Sequence, residues 1–437
     1  MSTPAPPEPV PSSGPGDVGP GGVGPGGVGT VLTGRPDRVT TLLFLVAVTA
    51  AFALFGSESA LGDVAHTFGH VTAGTSLRDV VGLSGSVLGL GLSVVRVASL
   101  GALPLSSWAD HAGRVRVLTR TVLVGLLLTA IAAASPTYWF FVACFALARP
   151  LLNAASTLVQ VITVELSTSA ARMKLLAIMA AGTGIGSGLS AVVHGVIRGP
   201  DAFRWLFALA LVPVLLVVPW VRSLPEVARR AGERPLARLG AVPREALGAL
   251  AIVAVVAFTT GVITGPAGGF TFVYSQEILK MSALSVSVVV ACSGLAGLAG
   301  LVISARLAST WGRRATVATG VVITAAASSA AYSGGRVAFV VGYVITIGAG
   351  GVLAPAMAAI STEIFAHRFR ATAAGWITVA GVLGAVAGFA LFGLVGDSFP
   401  ATAAGGLRLA ALITFLPLLP TLVLLRRLPE SRGVELT

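Results

Sequence analysis

Three charged side chains lie inside long apolar stretches of this 437-residue chain, away from the ends of those stretches. Glu58 is the acid, and Arg96 and Arg149 are the bases. A charge in the middle of a bilayer costs roughly 3 kcal/mol or more, so such residues usually have a function. A carboxyl group that is partly buried beside an arginine can gain or lose a proton when its access to water changes. Reversible protonation of Glu58 is therefore the chemistry that these residues predict.

The depth of each charge along its helix predicts which of them pair. At about 1.5 Å per residue, Glu58 lies about 27 Å from the start of the first predicted helix, and Arg149 about 24 Å from the end of the fourth. Arg96 lies only about 15 Å above Ser106, just beyond the end of the second predicted helix. We therefore expect Arg149 to pair with Glu58, either as a coupling site or as a static ion pair between helices. Arg96 is expected nearer the midplane, as a counter-charge for an anionic substrate or as a second partner of Glu58.

The apolar stretches themselves define the fold class. Hydrophobic residues make up 55% of the chain, charged residues make up 11%, and the mean hydropathy is +0.91, which together exclude an ordinary soluble protein. Crossing ~30 Å of hydrocarbon takes about 20 apolar residues in a helix, which satisfies its own backbone. The sequence predicts an all-α membrane protein with twelve transmembrane helices, at 40–61, 81–104, 118–135, 138–164, 173–197, 203–222, 247–270, 284–304, 316–333, 337–361, 371–394 and 406–425.

The net charge of +12 orients the chain in its membrane. Of 29 lysines and arginines, 21 fall on one side of the predicted topology, six on the other and two within helices. Positive residues favour the cytoplasmic side, so both termini are expected in the cytoplasm and the protein in the cell (inner) membrane. The charge is thereby explained without a nucleic-acid partner.

Three pairs of short sequence marks recur at intervals of 198 to 204 residues and divide the chain into two halves. They are Gly-Arg at 113–114 and 312–313, a Glu seven residues before an Arg in 165–172 and 363–370, and Leu-Pro-Glu at 224–226 and 428–430. Two six-helix halves with a site between them at the midplane are typical of secondary transporters. We expect a disordered cytoplasmic tail at 1–38, six-helix bundles at 39–222 and 247–426, a cytoplasmic linker at 223–246 and a second tail at 427–437.

The same marks resemble the major facilitator superfamily over residues 40–433. That family's loop motif, Gly-x-x-x-Asp-Arg-x-Gly-Arg-Arg, is matched here by Ser106-x-x-x-Asp110-His111-x-Gly113-Arg114-Val115, and in the second half by Ser309-Thr310-Trp311-Gly312-Arg313-Arg314. Within the superfamily, the sugar-porter and proton–metabolite symporter branches look most similar, through ALARPLLNAASTLVQVITVE (146–165), LPE (224–226), STEIFAHRFRATAAG (361–375) and LPESRG (428–433).

The resemblance implies two pseudo-symmetric bundles that expose a central site alternately to each side of the membrane. It assigns Glu58 as the proton acceptor and Arg149 as its partner. It also implies a cytoplasmic gate of charged side chains, formed by Asp110, Arg114, Glu165 and Arg172 in the first half and by Arg313, Arg314, Glu363 and Arg370 in the second. The alternative for these arginines is simple anchoring of helix ends at the membrane surface.

The polar side chains on the predicted helices restrict the solute. Sugar recognition relies on Asn and Gln, and this chain has one Asn and two Gln, which weakens a sugar assignment. The candidate substrate-binding residues are Arg96, Asn153, Gln160, Tyr274, Gln276 and Trp376. We expect a proton-coupled symporter of a small organic solute, an organic acid or a sugar-like metabolite, that acts as a monomer in the lipid bilayer without a cofactor.

Two other functions are compatible with parts of the sequence. Drug–proton antiporters of the superfamily carry a Gly-Pro pair in helix 5, whereas residues 180–193 read AAGTGIGSGLSAVV and contain no proline. A polytopic membrane enzyme would need a nucleophile with a base, or a metal with convergent ligands. His66 and His70 have the spacing of two metal ligands, but the sequence places them in an external loop with no third ligand nearby.

Overall fold

The computed structural model describes residues 32, 37–197, 201–226, 244–365, 369–398 and 402–428. Over these ranges the chain forms twelve long helical segments, as the apolar runs predict. They are α1 (Arg38–Ser59), α2 (Gly85–Ala112), α3 (Arg114–Ala132), α4 (Tyr138–Leu166), α5 (Ser169–Val196), α6 (Ala202–Val221), α7 (Arg244–Gly269), α8 (Ala283–Thr310), α9 (Arg313–Ala331), α10 (Arg336–Glu363), α11 (Arg370–Ser398) and α12 (Ala403–Leu425).

Eleven of these segments are long and apolar enough to cross a membrane by length and composition. The remaining one is α9, whose 19 residues include many Ala, Ser and Thr and two arginines at its start. Within the part of the chain that the structure describes, three shorter helices lie outside the twelve, at Leu61–Phe68, Leu77–Val81 and Val273–Ile278. Most of the predicted tail, linker and C-terminal tail (1–31, 33–36, 227–243 and 429–437) lies outside the described residues.

Side-chain caps in the sequence fix where several helices begin. The carboxylate of Asp37 accepts a hydrogen bond from the backbone N–H of Thr40 at 2.7 Å, at the start of α1. Ser84 and Thr137 cap α2 and α4 in the same way. These side-chain oxygens satisfy backbone donors that the first turn of a helix leaves free, and the caps therefore fix the register of the helices that carry the buried charges.

The junction between α2 and α3 differs from the predicted loop. Residues 106–112 belong to α2, and only Gly113 interrupts the helical backbone, with a φ of 96°. Gly312, at the equivalent junction of α8 and α9, has a φ of 94°. A left-handed backbone at this point favours glycine, which explains why the Gly-Arg pair recurs in both halves. The charged cluster at 106–116 therefore spans the end of α2 and the start of α3, and α2 extends about two turns further at this end than the sequence predicts.

The packing of the helices repeats between the halves. In the first half α1 packs on α5 and α3 on α4, and in the second half α7 packs on α11 and α9 on α10. Between the halves, α2 packs on α11 and α5 on α8. We call the end of the bundle that carries Gly113 and Gly312 the basic end, and the end that carries the Leu61–Phe68 helix the far end.

Candidate functional site

The structure brings Glu58 and Arg149 together in the interior of the first half. A guanidinium nitrogen of Arg149 lies 3.1 Å from Oε1 of Glu58, and only 11% and 17% of the two side chains are exposed. Glu58 stands in the last turn of α1, one residue before the helix is interrupted at Ser59–Ala60. Arg149 precedes Pro150, which lies inside α4 and removes one backbone hydrogen bond there. Both charges are therefore held at irregular points of their helices.

Arg96 lies at the same level as this ion pair, which corrects the depth inferred from sequence. Because α2 extends to Ala112, Arg96 lies about 24 Å from the basic end of its helix, compared with about 26 Å for Arg149 and about 30 Å for Glu58. Arg96 is close enough to interact electrostatically with both. Among the described residues it forms no salt bridge and no side-chain hydrogen bond. Its guanidinium therefore remains a cation without a paired carboxylate.

A cavity of about 380 Å³ lies between the halves on the basic side of this level. Arg96 is the residue that the first half contributes to its lining. The second half contributes residues of α7, α10 and α11, among them Thr260, Leu353, Met357 and Thr378. Such a volume lies at the lower end of the ~300–1,000 Å³ typical of small-ligand sites. The cavity thus lies mainly against the second half, and Arg96 connects it to the first half.

The other candidate binding residues lie apart from this cavity. Tyr274 is fully buried in the apolar core near the far end, with its ring centroid 4.6 Å from that of Tyr332. Asn153, Gln160, Gln276 and Trp376 are partly or largely exposed and do not line the cavity. Of the six candidates, Arg96 is the one that the structure places in the cavity wall, and Tyr274 is a core residue because its ring packs among aromatic neighbours.

The gate residues of the first half form a compact cluster at the basic end. Arg114, the first residue of α3, pairs with Asp110 at 3.0 Å and contacts Glu165 at the end of α4. Glu226 adds a further contact, because its carboxylate accepts a hydrogen bond from the backbone N–H of Val115 at 3.1 Å. A carboxylate is stabilised at a helix N-terminus by the free N–H groups and the helix dipole. Arg172 is exposed and forms none of the ion pairs seen among the described residues.

The second half repeats part of this arrangement. Arg313 pairs with Glu363 at 3.1 Å, in the positions equivalent to Arg114 and Glu165. Arg314 donates to the backbone carbonyls of Arg426 and Leu428 at 3.2 Å. Arg370 donates from Nε to the carbonyl of Phe365 at 3.0 Å. These contacts join helices of one half to each other, so each basic-end cluster stabilises its own bundle.

A charged contact at the far end crosses from one half to the other. The imidazole of His66 lies 2.9 Å from a carboxylate oxygen of Glu277, and Lys280 lies 3.9 Å from the same carboxylate. Within the first half, Asp63 lies 2.9 Å from the imidazole of His194 on α5. His66 stands in the Leu61–Phe68 helix rather than in the predicted loop. Its partner is a carboxylate, and the described residues contain no group of three metal-ligating side chains.

A second far-end contact joins α11 to α2. The carboxylate of Asp397 accepts hydrogen bonds from the backbone N–H groups of Gly85 and Ser86 at 2.7 and 2.8 Å, and from the Ser86 hydroxyl. A carboxylate from one half therefore caps a helix of the other half. Together with the ring contact between Phe55 and Phe272, at 5.8 Å between centroids, it closes the bundle at this end.

Comparison with known proteins identifies the family of this arrangement. The family model described as Major Facilitator Superfamily matches residues 43–314 and 250–436. The chain belongs to the major facilitator superfamily. No curated protein sequence matches the chain at a significant level.

Solved structures of the superfamily share the fold at low sequence identity. An inward-facing, occupied bacterial homolog of the human lysosomal transporter Spinster has a TM-score of 0.69 and 14% identity, with 89% of this chain and 95% of that chain covered. A D-xylose–proton symporter has a TM-score of 0.68 and 17% identity, with 90% and 98% covered. The nucleoside transporter NupG has a TM-score of 0.65 and 13% identity, with 90% and 100% covered.

As a member of the superfamily, the protein is a multi-pass membrane transporter of small solutes and not an enzyme.

The far-end contacts of the protein do not follow from the sequence patterns, which predict loops at Asp63, His66 and Glu277 and a helix that ends before Asp397. A signal is present in Asp63 and His66, because their three-residue spacing places both on one face of a helix. The repeated Leu-Pro-Glu marks Glu226, although it does not indicate the contact of Glu226 with α3.

The asymmetry of the two basic-end clusters leads to a test at Asp110. Asp110 fixes Arg114 by a charged hydrogen bond, whereas Ser309 only donates to the carbonyl of Arg306 in its own helix. Losing a charge-assisted hydrogen bond costs about 1.5–3 kcal/mol, so we expect Asp110→Asn to slow uptake roughly tenfold. Ser309→Ala is the matched control and should leave the initial uptake rate within about twofold. Equal effects of the two substitutions would contradict the asymmetry.

The His66 contact makes closure of the far end dependent on pH. The hydrogen bond to Glu277 raises the pKa of His66, with a smaller contribution from Asp63, while burial and Lys280 oppose it. Because this pKa is raised in the closed arrangement, the stabilisation is fully present below the ordinary value of about 6.5 and is lost as pH rises through the raised value.

We therefore expect the far end to open more often at alkaline pH. Spin labels on Val71 and Ser333, exposed far-end residues of the two halves, would report the distance between the halves by pulsed electron resonance. The long-distance population should grow as the pH is raised from mildly acidic to mildly alkaline. His66→Gln should remove this pH dependence, whereas His194→Gln, which leaves the His66–Glu277 contact in place, should retain it. A His66→Gln profile identical to that of the unmodified chain would refute the assignment.

Proposed function

We propose that this protein is a proton-coupled symporter that carries a small organic solute across the cell membrane by alternating access, as a monomer. The observation that supports the proposal is the buried ion pair between Glu58 and Arg149, which interacts electrostatically with Arg96 in the cavity wall. An ionised Glu58 neutralises Arg149. When Glu58 takes up a proton, Arg149 loses its partner, so the charge next to the cavity changes with protonation.

Orientation follows from the charge distribution. Positive side chains favour the cytoplasmic side, so the basic end faces the cytoplasm and the far end faces outward. The halves touch at the far end through His66–Glu277 and the Asp397 cap, and the cavity lies on the basic side of the buried charges. This arrangement corresponds to a cytoplasm-facing state. Transport then requires the far-end contacts to open and the basic end to close.

In this mechanism, the basic-end residues act as the gate. In the cytoplasm-facing state Arg114 and Arg313 pair within their own halves. In this proposal, closure of the basic end brings the two clusters against each other, and Arg172 and Arg370 then pair with carboxylates of the opposite half. Neutralising Glu165 and Glu363 would therefore lower the stability of the outward-facing state.

The experiment that tests the proposal is uptake in proteoliposomes that contain the purified protein. A panel of labelled small metabolites would be screened with and without an imposed pH gradient that is acidic outside. We expect at least one solute to accumulate only when the gradient is present. Accumulation driven by outward proton flow, or solute uptake that is indifferent to the gradient, would contradict proton symport.

A further inference from the structure

Arg96 is a partly buried cation that the proposed coupling mechanism does not use. It stands in the wall of the cavity, on the face that α2 presents to the second half. Among the described residues, the charged groups close enough to act on it are Arg149 and Glu58. Arg149 already pairs with Glu58, so the three side chains together carry a net charge of +1 when Glu58 is ionised. An unpaired buried charge is costly to a fold, which indicates that a partner for Arg96 comes from outside the chain.

The rest of the cavity wall has little capacity to donate hydrogen bonds. The hydroxyl groups of Thr260, Thr264 and Thr378 donate to carbonyls one turn earlier in their own helices, at 2.8, 2.8 and 2.9 Å. Most of the remaining wall is aliphatic, with Leu353, Met357 and Ile377 as its larger side chains. A polyol would leave most of its hydroxyl groups without partners there, and a buried unpaired hydroxyl is unfavourable.

We propose that the cavity binds a compact organic monoanion, whose carboxylate or equivalent acid group pairs with Arg96 and whose apolar body packs against α7, α10 and α11. Arginine binds a carboxylate through two parallel N–H donors, which fixes the orientation of the ligand. The apolar wall then accommodates an aliphatic or aromatic body. This assignment rests on the proposed function, since it identifies the solute of the same transporter.

The charge count of the site gives the stoichiometry. The empty site carries +1, and protonation of Glu58 raises this to +2. Binding of a monoanion returns it to +1. Loaded and empty transporter therefore move between the two sides with the same charge, and one proton crosses with one anion. Transport should respond to a pH gradient and be indifferent to the membrane potential.

A binding experiment in detergent tests the class of ligand without relying on transport. The probes are benzoate, benzenesulfonate and benzamide, which share an aromatic body and differ in charge. We expect the purified protein to bind both anions at least tenfold more tightly than benzamide. Arg96→Gln should remove this preference, and Arg96→Lys should keep part of it. Arg120→Gln, at an exposed arginine of α3, is the matched control and should bind as the unmodified chain does. Failure of both anions to bind, or unchanged anion binding in Arg96→Gln, would overturn the proposal.

Proteoliposome uptake separates this proposal from the proposed function. Benzenesulfonate serves as the probe because it stays ionised and does not cross lipid as a neutral acid. We expect its uptake to follow the pH gradient and not a potassium–valinomycin potential. If Arg96-dependent anion binding occurs but uptake ignores the pH gradient, proton coupling is wrong and the ligand class stands. If benzamide, and neither anion, accumulates with the pH gradient, coupling stands and the ligand class is wrong. Stimulation by the membrane potential would exclude the one-to-one charge balance.

Discussion

Glu58→Gln is expected to abolish accumulation driven by a pH gradient while leaving solute exchange intact. A pH difference of two units is worth about 2.7 kcal/mol per proton and can sustain a roughly 100-fold solute gradient in one-to-one symport. Glutamine has nearly the same shape as a protonated glutamic acid but cannot release a proton. The variant should therefore equilibrate its solute across the membrane without concentrating it. The measurement is the internal-to-external solute ratio in proteoliposomes, with Asp201→Asn as a control at an exposed ion pair.

The same variants distinguish coupling from a purely structural ion pair. If the Glu58–Arg149 contact only holds α1 against α4, the double variant Glu58→Gln with Arg149→Gln removes both charges and should regain accumulation. Removing one partner of a buried ion pair is more harmful than removing both. If Glu58 carries the proton, the double variant folds well and still fails to concentrate solute. Undiminished accumulation in Glu58→Gln alone would exclude the coupling role.

The sequence predicts the depth of a site residue correctly only when it also predicts where the helix of that residue ends. The pairing of Glu58 with Arg149 is predicted correctly because both sit in long helices whose ends the sequence marks. The predicted depth of Arg96 is too near the basic end, because the composition of 106–112 is typical of a loop. All seven of those residues are nevertheless compatible with a helix, and the first true stop is Gly113 with its left-handed backbone.

Contacts between the halves cannot be predicted from the sequence for a different reason. His66 and Glu277 are 211 residues apart, and Asp397 and Ser86 are 311 apart. Repeats and periodicity report which residues share a helix face, but they do not report how one bundle sits against the other. That arrangement is decided by close packing of small residues between helices, where backbone atoms touch. The far-end contacts could therefore be found only in three dimensions.

Two glycines of α11 show how this packing controls the transport cycle, and they give the second large expected effect. Gly384 faces α7 in its own half, where an added Cβ atom would overlap the carbonyl oxygen of Phe258. Gly393 faces α2 in the other half, where an added Cβ atom would overlap the carbonyl oxygen of Gly85. Both clashes involve backbone atoms, so neither can be relieved by a change of rotamer. The helices themselves must move apart.

The consequences should differ because one interface is permanent and the other opens. Overpacking of this kind costs about 1–3 kcal/mol. In Gly384→Ala that cost falls on every conformation, so the protein should lose thermal stability with little change in the distance between the halves. In Gly393→Ala the cost falls on the state closed at the far end, because the α2–α11 contact there is released when the far end opens. A penalty of about 2 kcal/mol shifts that equilibrium roughly 30-fold towards the open state.

The test compares the two variants with the spin labels on Val71 and Ser333. Gly393→Ala should enlarge the long-distance population strongly and lower the melting temperature less than Gly384→Ala does. Asp397→Asn should act in the same direction as Gly393→Ala but more weakly, because it weakens the cap on α2 without forcing the helices apart. If Gly393→Ala leaves the label distances unchanged and only destabilises the protein, the α2–α11 contact is a fixed part of the core. Opening at the far end would then have to occur along the α5–α8 interface alone.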